Sequence, residues 1–273
     1  MAGTWTSGKE VDFSGSDEVS DWYRFDVKGN DNQKIIVHTF KSGTKILRNY
    51  TMLYDKTKKA ALWSAFAMNN GTYPHNYSRE DSWHYDPALV FGTTTNPDYS
   101  WQPKLSSSYG GGYTRGHQVA SNDRRTTIYQ MYQTDYYTNM TPQLSAFNSG
   151  NTTEWDELET SIQNLGYATS GNDTLYVVTG ALFDSGYKTD ATDNNGAACA
   201  VPTRYFKCIM KVHFSNGEAQ SAQGAAYLVE HKSGATLKKM KIDELETETG
   251  FDFFTNIKAS VQSSAENAFT NLL

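Results

Sequence analysis

Residues Tyr113–Arg125 read "YTRGHQVASNDRR". The segment sets one histidine, His117, behind Gly116, with Arg115 on one side and Arg124 and Arg125 on the other. This is a concentration of positive charge in a chain of 273 residues with a formal net charge of −6 and an isoelectric point near 5.5. Two readings are open. The cluster is a solvated loop, or it holds a negatively charged substrate beside an imidazole that, with an ordinary pKa of about 6.5, can take a proton near neutral pH. A confined basic patch on an acidic protein favours a reaction in a cleft over the coating of nucleic acid by a basic surface.

Working outward, "TTIYQMYQTDYYTNMTPQ" follows as a mixed stretch that ends near Pro142. Then "TEWDELETSIQNLG" gives the clearest helix: Trp155, Leu158, Ile162 and Leu165 step by three or four residues into one apolar stripe. Thr152 or Thr153 can cap its start, and Gly166 is expected to stop it. Upstream, "QKIIVHTF" reads as a strand, and Tyr50–Met68 as two strands joined by a turn at "DKTK". A loop-rich region from Asn69 to Gly112 carries most of the prolines and the triple glycine Gly110–Gly112. Downstream come three strands, "TLYVVTGAL", "RYFKCIMKVHF" and "SAQGAAYLVEH", and an acidic helix in "KIDELETETGFDFF" that Gly250 stops. Strands and helices alternate without regular βαβ units, so the expected class is α+β. Residues 1–30 read as a polar extension and 31–273 as one domain.

Composition narrows the function classes. Hydrophobic residues make up 38% and aromatics 14%, enough for a globular core rich in Tyr, Phe and Trp. No apolar run approaches the roughly 18 residues of a membrane span, and "MAGTWTSGKEVDFSGSD" has no apolar segment of the signal-peptide kind. The excess of Tyr, Asn, Thr, Ser and Gly is that of secreted, periplasmic or cell-surface bacterial proteins. Cys199 and Cys208 are too few for a disulfide framework and lack zinc-site spacing. Cys208, in the strand-like "RYFKCIMKVHF", is readable as a buried thiol, or the two as a local disulfide if the chain turns at Pro202. Of the six histidines, only His84 has a potential ligand nearby, in Asp86, and that pair reads as structural.

Taken together, "RGHQVASNDR", "TNMTPQLSAFN" and "WDELE" resemble the DNA/RNA non-specific endonucleases of the ββα-metal (His-Me finger) superfamily. "ALWSAFAM", "SREDSWHYDPAL", "YVVTGALF", "VPTRYFK" and "IDELETETGFDFF" are similar to further blocks of that family in the same order, from about Tyr50 to Phe254. The resemblance implies a central, mostly antiparallel sheet flanked by helices. It also implies one Mg²⁺ or Mn²⁺ per site, and DNA and RNA as substrates cut to leave 5′-phosphate ends. His117 is then the general base and Asn148, in "AFNSG", the direct metal ligand. Such a ligand suits an ion that takes oxygen donors and keeps several waters. Glu159 corresponds to the residue that hydrogen-bonds the ion's water shell. Arg115 and Arg79 correspond to phosphate-contacting arginines, and Asn139 and Gln143 to residues that hold the loop orienting the site.

Three departures stand out. Thr114 occupies the place where the family usually has aspartate, the Asn148–Trp155 link is three residues longer than the pattern, and Gln163 stands where the family can carry arginine. Arg124 and Arg125 are readable as surface residues or as nucleic-acid contacts. With no recognition helix or aromatic RNA-binding signature, binding is expected to follow the phosphate backbone. The alternatives are a phosphodiesterase acting on nucleotides or other small diesters, and a non-catalytic surface protein whose Tyr- and Trp-rich face binds glycans or a partner.

Overall fold

The computed structural model describes residues 32–149 and 154–273. In chain order the strands β1 (Gln33–Ser42), β2 (Lys45–Asp55) and β3 (Ala60–Met68) form a meander, with residues 56–59 as the turn expected at "DKTK". Two short ribbon strands follow, β4 (Phe91–Thr93) and β5 (Asn96–Asp98), then β6 (Tyr113–His117), α1 (Ile128–Tyr132), β7 (Met140–Leu144), α2 (Ser145–Asn148) and α3 (Glu154–Ala168). The rest comprises β8 (Asp173–Leu182), β9 (Ala191–Thr192), β10 (Ala198–Cys199), β11 (Arg204–Ser215), β12 (Glu218–Glu230), β13 (Lys238–Met240), α4 (Ile242–Thr249) and α5 (Ala259–Glu266).

Seven strands make one antiparallel sheet in the order β1-β2-β3-β8-β11-β12-β13. Its central strands are buried on both faces, which is why they read as near-continuous apolar runs. Period-two alternation divides β11 cleanly. Phe206, Cys208, Met210 and Val212 face α4 and α5 in one core cluster, whereas Tyr205 and Ile209 join Phe147, Trp155, Leu158 and Ile162 in the other. The α+β class and the mostly antiparallel sheet agree with the sequence reading.

On the α3 face, β6 and β7 pair antiparallel as a separate ribbon, with His117 opposite Met140 and Thr114 opposite Gln143. This ribbon followed by α3 is the ββα unit. Gly116 is required here for room: a Cβ at that position would lie 2.0 Å from Gln143 Cδ. Gly116 thus serves close cross-strand packing and not a turn.

Gly166 is not the helix stop expected of it. It lies inside α3, which runs on to Ala168, and a Cβ there would meet Met68 Cε at 2.3 Å. Gly250 does end α4, in the left-handed conformation at φ 72°. The proposed extension, the capping role of Thr152 or Thr153 and most of the lengthened Asn148–Trp155 link lie outside the described residues. Both cysteines are buried free thiols.

Candidate active site

Five of the seven residues singled out from sequence, Arg79, Arg115, His117, Asn148 and Glu159, line one cavity of about 420 Å³ together with Trp83 and Thr114, whereas fully buried Gln143 does not. The five arrive from four places: the loop before β4, the β6 strand, the end of α2 and the second turn of α3. Asn139 is likewise fully buried, behind the cavity. Its Nδ2 donates to the carbonyls of Val119 (2.9 Å) and Thr134 (2.7 Å), and its Oδ1 accepts from Val119 N at 3.0 Å. Asn139 thus fixes the loop after His117 and does not face the cavity.

His117 ends β6 with Nε2 3.0 Å from Asp135 Oδ1. Asp135 is completely buried, and its other oxygen accepts from the Ser82 backbone N–H at 2.7 Å. A carboxylate facing Nε2 selects the tautomer with its proton there, leaving Nδ1 as the basic nitrogen. Sequence reasoning missed Asp135. It lies eighteen positions along, in a polar "QTDYY", and nothing local marks it as a partner.

The Arg115 guanidinium lies 3.7 Å over the Trp83 ring and donates to Leu105 O at 3.0 Å. Burial pulls it below its ordinary pKa while Asp81 and Asp135 push it back up, and it stays cationic at any working pH. Arg79 is half-exposed at the rim, its Nε 3.0 Å from Asp81 Oδ1. Arg124 is neither a surface residue nor a nucleic-acid contact. It is fully buried, donates to Asn49 Oδ1 (2.8 Å) and Ala67 O (2.7 Å), and lies over Tyr73. Arg125 turns to His75, 3.2 Å from Nδ1.

Thr114, in the place expected for aspartate, contacts Asn148. Its hydroxyl donates to Gln143 O at 3.0 Å and accepts from Asn148 Nδ2 at 3.2 Å. Fixing Nδ2 leaves Asn148 Oδ1 as the group able to meet a cation, a hard neutral oxygen of the kind Mg²⁺ and Mn²⁺ accept. The group of three clustered carboxylates found among the described residues, Asp243, Glu246 and Glu266, is on α4 and α5 and does not line this cavity. The donor set at the cavity therefore fits an ion held by few protein ligands.

Glu159 Oε1 is 3.2 Å from Lys207 Nζ, a second residue that sequence reasoning did not single out. Beside them Asp123 is buried, and burial pushes its carboxyl up to about 6, with Lys207 opposing and Glu159 adding to the shift. Gln163 donates to Asp123 Oδ1 at 3.3 Å and does not line the cavity. The His84–Asp86 pair dissolves: Asp86 faces His38 Nε2 at 3.1 Å, and the His84 ring meets Tyr136 edge-on.

Comparison with known proteins agrees with the geometry. A sequence model described as "DNA/RNA non-specific endonuclease" matches residues 29–260. The chain is 28% identical to a nuclease of Nostoc sp., over 83% of this chain and 78% of that protein. It is 29% identical to nuclease C1 of Cunninghamella echinulata, over 78% and 82%. Mitochondrial endonuclease G of Homo sapiens is 28% identical over 61% of this chain and about half, 54%, of its own length. Among solved structures, an EndoG/EndoGI complex matches with a TM-score of 0.57 at 18% identity, covering 83% of this chain and 89% of that one. At that identity the match shows the fold.

Proposed function

Because the chain belongs to the DNA/RNA non-specific endonuclease family, a family of metal-dependent nucleases, we propose that it hydrolyses DNA and RNA internally, with one Mg²⁺ or Mn²⁺ on Asn148 and His117 as general base. The observation that carries this reading is the convergence of His117, Asn148, Glu159, Arg115 and Arg79 on one cavity. His117, its Nε2–H held by Asp135, takes a proton from water at Nδ1. The resulting hydroxide adds to phosphorus and the bond to O3′ breaks with its electron pair going to O3′, which takes a proton from water, leaving a 3′-hydroxyl and a 5′-phosphate. Arg115, braced on Trp83, and Arg79 meet the nonbridging oxygens as charge grows there. Asn148 Oδ1 would hold the ion, and Glu159 would accept from its water shell. When bound, the ion supplies positive charge toward the phosphate and the departing oxygen.

Nothing in this arrangement addresses base edges, which supports action on both sugars with little sequence preference. The secreted, periplasmic or cell-surface placement remains part of the proposal. It rests on composition, and no helix among the described residues is long and apolar enough to cross a membrane.

The test is cleavage of supercoiled plasmid and of RNA, with Mg²⁺ or with EDTA, for wild type and two Asn148 variants. Asn148→Ala is expected to fold yet lose Mg²⁺-dependent cleavage. Asn148→Asp is expected to bind the ion at least as well and cleave more slowly, since the added charge repels the diester. An Asn148→Ala variant with unchanged rate and metal dependence overturns the assignment.

A further inference from the structure

Lys207 is the fourth residue of β11, an interior strand of the sheet, between fully buried Tyr205 and Ile209 on the same face, and is itself only 2% exposed. Burying an ammonium costs several kcal/mol unless it is paired, so its partners indicate why it is there. Nζ is 3.2 Å from Glu159 Oε1, 3.4 Å from Thr179 Oγ1 on the neighbouring strand and 4.6 Å from the centre of the Trp155 ring. Trp155 lies one turn before Glu159 on α3, so the two contacts pin one stretch of that helix to the sheet. Glu159 keeps its position on the cavity wall with 22% of its side chain exposed. One carboxylate oxygen is taken by the buried cation, which leaves the other for the cavity.

We infer that Lys207 is a positioning residue of the cleavage reaction: fixed within the sheet, it holds Glu159 aimed into the cavity, and through Glu159 it sets the affinity for the divalent ion. The inference rests on the proposed role of Glu159. A lysine buried for packing alone would gain nothing from facing the one glutamate that lines the cavity. Without Lys207, Glu159 loses its ion-pair partner beside the buried Asp123 carboxyl and is left to turn away from the cavity or to pair elsewhere. A cavity carboxylate in either condition no longer accepts from a hydrated ion.

The test follows Mn²⁺ binding by electron paramagnetic resonance alongside plasmid cleavage against Mg²⁺ concentration. The proteins are wild type, Lys207→Met, Lys207→Arg, Glu159→Gln and the Lys207→Met/Glu159→Gln double variant. Loss of a residue behind a metal site typically weakens binding or activity by about 10- to 100-fold. Lys207→Met is expected to show that loss in both readouts, Lys207→Arg to recover part of it, and the double variant to be no worse than the weaker single one. Lys207→Gln, which keeps a donor, replaces the methionine variant if that fails to fold. The double variant removes both members of the ion pair together and gives a second route.

Wild-type Mn²⁺ affinity and rate in a folded Lys207→Met or Lys207→Gln variant would overturn the inference. So would losses that multiply in the double variant. If Glu159→Gln alone behaves as wild type while Lys207→Met is impaired, the role of Glu159 fails and Lys207 acts by another route, which also overturns the coupling.

Discussion

Replacing His117 by alanine removes the proposed general base and leaves the Asn148 oxygen in place. The rate is expected to fall by about 10²- to 10⁴-fold, with Mn²⁺ affinity unchanged by paramagnetic resonance; near-full activity would put the base elsewhere. Asp135→Asn is a finer probe. It preserves shape and can still accept from Ser82 N–H, but it lacks the charge that stabilises the imidazolium formed when His117 takes the proton. Steady-state cleavage should show kcat reduced by on the order of 10- to 100-fold, with KM near wild type and an unaltered near-ultraviolet circular dichroism spectrum. An unchanged kcat would make Asp135 a structural residue only.

At this scale the sequence displays residues whose type is informative in itself, a histidine among arginines or an asparagine after Pro142–Gln143. It hides partners whose role comes from contact across the fold. Asp135 is one. Lys207 is less hidden, since parity along "RYFKCIMK" places it on the face of Tyr205 and Ile209, where a charge demands a partner. Arg124 shows the opposite error, a residue that looks available for phosphate and is consumed by Asn49 and Ala67.

Among the elements, the β6/β7 ribbon depends on a missing side chain. Gly116→Ala places a methyl into Gln143 and is expected to destabilise the fold by about 1–3 kcal/mol, as overpacking does; Gln143→Ala in the same chain should recover part of the loss in urea unfolding. Equal stability of Gly116→Ala and wild type would show that Gln143 moves aside freely. Strands β1, β2, β3, β8, β11 and β12, and helices α3 and α4, were legible because alternation, apolar runs and helical spacing are local signals. The interior place of Gly166 was not, because its reason is Met68 on a strand about a hundred positions away.

Across the whole molecule, the sheet separates the cavity face from a face covered by α4 and α5. On that second face burial pushes Glu246 up to about 8 and Glu266 up to about 7, with the neighbouring carboxylates Asp243 and Asp252 adding to both shifts. Since both folded values exceed the ordinary carboxylate range, the native chain holds protons that the unfolded chain has already released. The contribution is therefore complete below about pH 4.5 and is lost as pH rises toward 8. Glu246→Gln should match wild type in urea unfolding at pH 5 and exceed it at pH 8.5, by on the order of 1 kcal/mol after allowance for partial exposure. A stability difference independent of pH would contradict the shift. Strand order, with β3 beside β8 and β8 beside β11, is a whole-chain property that no local pattern encodes.

Asp135 uses one oxygen for His117 and the other for the backbone of Ser82, in the loop that presents Arg79 and Trp83. On the proposed mechanism, substrate preference and turnover therefore share an anchor and are not free to evolve apart. A lineage that reshapes the Arg79 loop for a new polymer also disturbs the proton acceptor, and the gains tolerated first will be those that leave the Ser82 amide where it is. The loop can change its side chains readily and its backbone path only together with residue 135.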